Sequence, residues 1–145
     1  MRLVTIAFSH YNEKARWGLD RFGVPYREVR CMPVFHFPAV MWATRLRGGR
    51  SDRNSTRWST PVLVTDDGQR LCDSSTIVGW ASDRFGTPET TLYPPEHRAE
   101  IEALEQRLGD KVGPHVRRMV YWHLLPRRDM LARLAHDNVG PLQAR

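Results

Sequence analysis

Over residues 3–31, a nearly continuous apolar run is followed by a helical alternation of apolar and charged positions. A nearly continuous apolar run opens the chain and predicts a buried strand that ends at Ser9. Its β-forming residues are Leu3, Val4, Ile6 and Phe8. The positions that follow predict an amphipathic helix with one face against a sheet, since apolar residues recur among charged ones at Ala15, Trp17, Leu19 and Phe22. Gly23 and Pro25 end this helix, and a second strand over residues 26–31 completes a βαβ unit with parallel strands.

A second periodic block begins at Thr60, after a less regular segment in which residues 37–46 predict a short helix. Short apolar runs on either side of an Asp-Gly turn predict a β-hairpin over residues 60–72. Asp73 and Ser74 are both suitable N-caps for a helix that runs to Gly86. The order βαβ, then ββα, predicts an α/β domain with a mixed sheet and helices on its faces.

Helical periodicity returns after a stretch rich in Thr and Pro. We therefore expect a first domain over residues 1–86, a linker over 87–94 and a partial all-α domain over 95–145. Gly113-Pro114 should interrupt its helices, and a last short helix is expected near residues 127–136. We expect a homo-oligomer, because a second copy would cover the apolar face formed by Leu104, Leu108, Val116, Met119, Val120 and Leu124.

Composition narrows the class of protein. The chain has 41% hydrophobic and 26% charged residues, which is typical of a folded domain. It has no apolar run of membrane-spanning length and no apolar leader at Met1, so we expect a cytoplasmic protein with no membrane partner. The net charge of +6 comes from scattered basic residues, so no nucleic-acid partner is expected. Cys31 and Cys72 lack the spacing of metal ligands, so we expect buried reduced thiols and no metal.

Ser9 stands at the junction between the first strand and the first helix. A hydroxyl there has two interpretations, and the position alone does not separate them. In the first, Ser9 only caps the helix, which is the usual role of Ser at this position. In the second, the unpaired backbone N–H groups and the positive helix end make the junction suited to stabilising an anion such as a thiolate.

Three short motifs occur in order, at Ser9 to Arg16, at Thr60 to Leu63, and at Asp73-Ser74 with Ile77. Over residues 1–85 they resemble the N-terminal domain of the glutathione S-transferase family, in its catalytic Ser or Cys turn, its cis-Pro segment and its glutamyl-binding helix start. The resemblance implies a thioredoxin-like domain followed by a shortened all-α C-terminal part. His10 and Asn12 stand where redox relatives carry Pro and a second Cys, so thiol–disulfide exchange is not expected.

The resemblance implies glutathione as a substrate and divides its recognition among the motifs. Ser9 is the expected catalytic hydroxyl, with Asn12 as the alternative donor. A cis Thr60–Pro61 bond would direct the Thr60 backbone toward the cysteinyl unit as an added strand. Ser74 would receive the γ-glutamyl carboxylate and Asp73 its ammonium group. The group that holds the glycyl carboxylate stays open among Arg45, Arg47, Arg50 and Arg57, and a solvated charge run is the alternative interpretation of these residues.

Two functions from different classes agree with these residues. The first is a transferase that conjugates the glutathione thiolate to a small electrophile, whose identity the sequence leaves open. The second is a non-catalytic module that binds glutathione or a protein partner. Members of the family normally continue with several more helices, which supply most of the electrophile pocket, and the short helical part of this chain is the feature that favours the second function.

Overall fold

A computed structural model describes residues 1–48 and 57–139. The first elements in chain order are β1 (Arg2–Ile6), α1 (His10–Arg21), β2 (Arg27–Cys31), α2 (His36–Ala43), β3 (Val62–Val64), β4 (Arg70–Cys72) and α3 (Ser74–Phe85). They are followed by α4 (Arg98–Lys111), α5 (Gly113–Leu124) and α6 (Arg128–Asn138). Each element type appears in the predicted order, so the α/β assignment with following helices is confirmed.

The sheet has the strand order β2-β1-β3-β4 within the described residues. β1 is parallel to β2, as the βαβ pattern predicts, and antiparallel to β3. β3 and β4 form the predicted antiparallel hairpin. The expected end of β1 at Ser9 is wrong, because the strand ends at Ile6 and the chain turns there, with the Ser9 N–H donating to the Ile6 carbonyl at 3.1 Å.

Helices cover both faces of this sheet. Because side chains alternate along a strand, Leu3 and Leu63 point to one face while Val4 and Val62 point to the other. The first face packs against α1 and α3, and the second packs against α2. This mixed sheet between two helical layers is the thioredoxin-like arrangement, and it places the N-terminal ends of α1 and α3 next to the hairpin strands.

Trp17 is an apolar residue that the sequence pattern assigns to the wrong side of α1. The buried positions of this helix are Asn12, Ala15, Gly18 and Leu19, whereas Trp17 is 69% exposed. Successive residues are rotated by about 100° around a helix axis, so position 17 lies almost opposite position 15. Trp42 of α2 is also exposed, and Val40 and Ala43 carry the contact with the sheet instead.

The chain divides into two compact units, Met1–Leu92 and Tyr93–Arg145. The second unit contains α4, α5 and α6, and the break between α4 and α5 falls at the predicted Gly113-Pro114. Leu124 of α5 is buried within the structure, whereas Leu104, Leu108, Met119 and Val120 are exposed. None of the helices in the two described ranges is long and apolar enough to cross a bilayer.

Candidate functional site

Ser9 occupies the N-cap position of α1 but does not cap it with its side chain. Its backbone is extended, with φ −88° and ψ 126°, and its carbonyl accepts the Glu13 N–H at 2.9 Å. The Ser9 hydroxyl makes no capping hydrogen bond to the helix. The prediction that Ser9 is the N-cap is therefore correct for the backbone. It is wrong for the side chain, because the hydroxyl makes no capping hydrogen bond to the helix.

The Thr60–Pro61 peptide bond is cis, as the second motif predicts. The Thr60 hydroxyl accepts a hydrogen bond from the Asn12 side-chain amide, with 3.1 Å between Nδ2 and Oγ1. The Pro61 carbonyl accepts the Asp73 N–H at 3.3 Å. By contrast, the Thr60 backbone N–H and C=O make no hydrogen bond to another described residue. An extended peptide could therefore pair with Thr60.

The start of α3 distinguishes between the two predicted caps. Asp73 is the N-cap, because its carboxylate Oδ1 accepts the Ser75 N–H at 2.8 Å. Asp73 adopts φ 82°, in the left-handed region that a residue with a side chain rarely occupies, and this strained turn orients the first turn of the helix. Ser74 is the first helical residue and is almost fully buried. Its N–H belongs to the positive end of the helix.

Three hydrogen bonds connect the three motifs in pairs. Asn12 of α1 donates to Thr60 of the cis-Pro segment, and Asp73 donates from its backbone to Pro61. Lys14 of α1 donates from Nζ to the Ser75 hydroxyl of α3 at 2.8 Å. The segments that carry Ser9, Thr60 and Ser74 are consequently neighbours in space, although they are far apart in the sequence.

The contacts of Lys14 and the hydrogen bonds around Arg16 were not predicted from the sequence. Arg16 donates to Glu28 Oε1 at 2.5 Å, to the Ala7 carbonyl at 2.9 Å, and to Glu13. Its guanidinium therefore holds the β1–α1 turn that leads to Ser9. The spacing from Glu13 to Arg16 is a helical i,i+3 pair and could have been noticed, whereas the bond to Glu28 depends on the register of β2.

Cys72 and Arg57 are poor candidates for a role in the site. Burial and the neighbouring Asp73 charge raise the pKa of the half-buried Cys72 thiol, so this thiol is a poor nucleophile at neutral pH. Arg57 donates to the Leu46 and Arg47 carbonyls, both at 3.3 Å, so its guanidinium is committed to the backbone beyond α2. Arg45 and Arg47 are exposed, and Arg50 lies outside the described residues.

The fold is a thioredoxin-like domain in which the segments that carry the three motifs are neighbours. The family model for the N-terminal domain of glutathione S-transferase matches residues 3–89. The chain therefore belongs to the glutathione S-transferase family. No match was found among curated proteins.

Proposed function

We propose that this protein binds glutathione and conjugates its thiolate to a small electrophile. The observation that supports the proposal is the set of three hydrogen bonds, Asn12–Thr60, Lys14–Ser75 and Asp73–Pro61, which makes the three segments that carry the motifs neighbours. Glutathione requires three kinds of contact close together: a donor for its sulfur, a backbone edge for its cysteinyl unit and an anion site for its γ-glutamyl carboxylate.

Each of these contacts has a candidate group in the site. The Thr60 N–H and C=O would pair with the cysteinyl backbone as a short added strand. Ser74 would donate its hydroxyl and N–H to the γ-glutamyl carboxylate at the positive end of α3, while Asp73 would accept from the ammonium group. Lys14 adds a positive charge beside this helix end, because its ammonium contacts Ser75. For the glycyl carboxylate, Arg45 and Arg47 are the better candidates among the described arginines, since Arg57 is engaged.

Ser9 would act on the sulfur. A hydroxyl that donates to a thiolate stabilises the charged form and lowers the thiol pKa, and the positive end of α1 acts in the same direction. The thiolate then attacks an electrophilic carbon. The thiolate lone pair forms the C–S bond. In a substitution, the leaving group departs with the electron pair of the bond that breaks; in an addition to an activated alkene, the π pair moves to the neighbouring carbon, which takes a proton from water.

Calorimetry and ultraviolet absorbance test the two parts of this proposal separately. We expect saturable binding of glutathione, and thiolate absorbance of the bound ligand near neutral pH. S-methylglutathione is the matched ligand control, because it should bind without a thiolate signal. Absence of binding heat at millimolar glutathione would contradict the proposal as a whole.

Ser9→Ala tests the catalytic role. Losing a hydrogen bond to a charged group should raise the pKa of the bound thiol by about one to two pH units and slow conjugation of an activated chloroarene accordingly. Ser9→Thr keeps a hydroxyl and should retain most of the wild-type signal. If glutathione binds but Ser9→Ala leaves its thiol pKa unchanged, the non-catalytic binding module becomes the better interpretation.

A further inference from the structure

Asn12 joins two segments that the proposed function places on either side of the cysteinyl unit of glutathione. It lies in the first turn of α1, three residues after Ser9. Its amide Nδ2 donates to Thr60 Oγ1 at 3.1 Å, across 48 residues of sequence. The bond therefore links the helix that begins after Ser9 directly to the residue whose backbone would pair with the ligand.

Asn12 lies in a fully buried environment, which disfavours a polar side chain. Asn12 has no exposed surface, and its Oδ1 atom is buried without a hydrogen-bond partner in the described part of the chain. A buried acceptor left unpaired destabilises the fold, and an apolar residue of similar size would avoid that cost. The hydrogen bond to Thr60 is what the amide provides that an apolar residue could not.

We infer that Asn12 is a positioning residue, which acts through Thr60 and does not touch the glutathione sulfur. The inference rests on the proposed function. Within the cysteinyl unit only the Cβ atom separates Sγ from Cα, so a ligand paired with the Thr60 backbone has its sulfur confined to a small region. The Asn12–Thr60 hydrogen bond fixes where the Ser9 hydroxyl lies relative to that region. Complete burial of Asn12 keeps its own amide away from the ligand.

A double-mutant cycle tests this inference. Asn12→Leu removes the donor with little change in volume, and Thr60→Val removes the acceptor while keeping the β-branched shape and the backbone groups. For each variant and the double variant, the Kd for glutathione and the pH titration of the bound thiolate absorbance are measured. We expect each single variant to bind about tenfold more weakly with a raised thiol pKa, and the double variant to be no worse than either.

The other outcomes are distinguishable. Effects that multiply in the double variant would show that Thr60 and Asn12 act independently and would overturn the inference. So would a Thr60→Val protein with wild-type binding, or variants with a lower Tm whose thiol pKa is unchanged, which is the signature of a purely structural role. Thr60 is only partly buried, so Thr60→Val tests the inference even if Asn12→Leu does not fold. A wild-type protein that binds no glutathione would overturn the proposed function itself.

Discussion

Ser74, the first residue of α3, is almost fully buried, and it carries a hydroxyl at the positive end of the helix. If this hydroxyl donates to the γ-glutamyl carboxylate, Ser74→Ala should weaken glutathione binding by about 1–2 kcal/mol, or about five- to thirtyfold in Kd. Calorimetry measures the difference. Thr76→Ala, which removes an exposed hydroxyl two residues further along α3, is the matched control and should bind normally. Equal Kd values for the Ser74→Ala and wild-type proteins would leave Ser74 without a role in binding.

For single residues, the sequence predicts the local role of a side chain better than it predicts the residues with which that side chain forms hydrogen bonds. Local signals predicted the N-cap at Ser9, from a strand-to-helix junction, and limited the second N-cap to Asp73 or Ser74 at a helix start. The Asn12–Thr60 and Lys14–Ser75 contacts were not predicted, because they join residues 48 and 61 positions apart and depend on how α1 packs. Local patterns contain no information about such distances.

Among the secondary structure elements, the Arg16–Glu28 pair connects α1 to β2. Both side chains are mostly buried, and Glu28 also accepts from the Thr5 hydroxyl at 2.7 Å. Glu28→Gln should lower the free energy of unfolding at pH 7 by about 3 kcal/mol. The neutral amide is a weaker partner than the carboxylate for the charge of the mostly buried Arg16. Glu102→Gln breaks the exposed Arg98–Glu102 pair of α4 and should change stability by less than about 1 kcal/mol. Equal losses in denaturant melts would contradict this prediction.

The same pair has a defined pH dependence. Burial alone would raise the pKa of Glu28, but hydrogen bonds from Thr5, Arg30 and Arg16 outweigh it and hold the pKa below its ordinary value. At pH values between the lowered pKa of the folded state and the ordinary pKa of the unfolded chain, the folded state therefore binds fewer protons than the unfolded state. Its stabilisation is complete above the ordinary carboxyl pKa of about 4.3 and is lost as the pH falls through the lowered folded value. Acid unfolding of the Glu28→Gln protein should consequently depend less steeply on pH than that of wild type.

Gly18 allows α1 and α3 to approach closely. A Cβ atom at this position would lie 2.6 Å from Val78 Cγ2, which is much closer than two carbon atoms can pack. Gly18→Ala should therefore destabilise the protein by about 1–3 kcal/mol. Gly79→Ala in α3 adds its Cβ where no atom lies within 4 Å, so it should be neutral or stabilising by up to about 1 kcal/mol. Val78→Ala in the Gly18→Ala background should restore part of the loss, and no restoration would mean that the clash is not the cause.

The types of the elements could be predicted from the sequence, while their buried faces could be predicted only in part. Ala15 and Leu19 were correctly placed in the core, but Trp17 was not, because its apolar character outweighed its position around the helix. β1 ends three residues earlier than expected, since Ala7 and Phe8 form the turn that places Ser9 at the start of α1. Hydrophobicity alone does not distinguish a strand residue from an apolar turn residue.

For the whole molecule, the exposed apolar side chains of α4 and α5 predict self-association. Leu104 and Leu108 are one turn apart on α4, and both are exposed, as are Met119 and Val120 on α5. We expect light scattering to show a dimer or larger assembly at micromolar concentration, because contact between copies would remove this surface from water.

A substitution in this surface tests the prediction further. Leu108→Lys should shift the population toward the monomer, while Ala103→Lys adds the same charge elsewhere on α4 and should not. A monomeric wild-type protein with a cooperative unfolding transition would show that these side chains do not drive association.

The two edge strands of the described sheet are poorly suited to pairing with strands of other molecules. β2 lies at one edge of the described sheet and carries charges at Arg27, Glu28 and Arg30, whereas β4 at the other edge is only three residues long. Charged or very short edge strands resist pairing with a strand of another molecule, which is the route to amyloid-like aggregates. Crowding such molecules together should therefore favour helix-mediated assembly over fibril growth, and the charge on β2 serves as protection against misassembly.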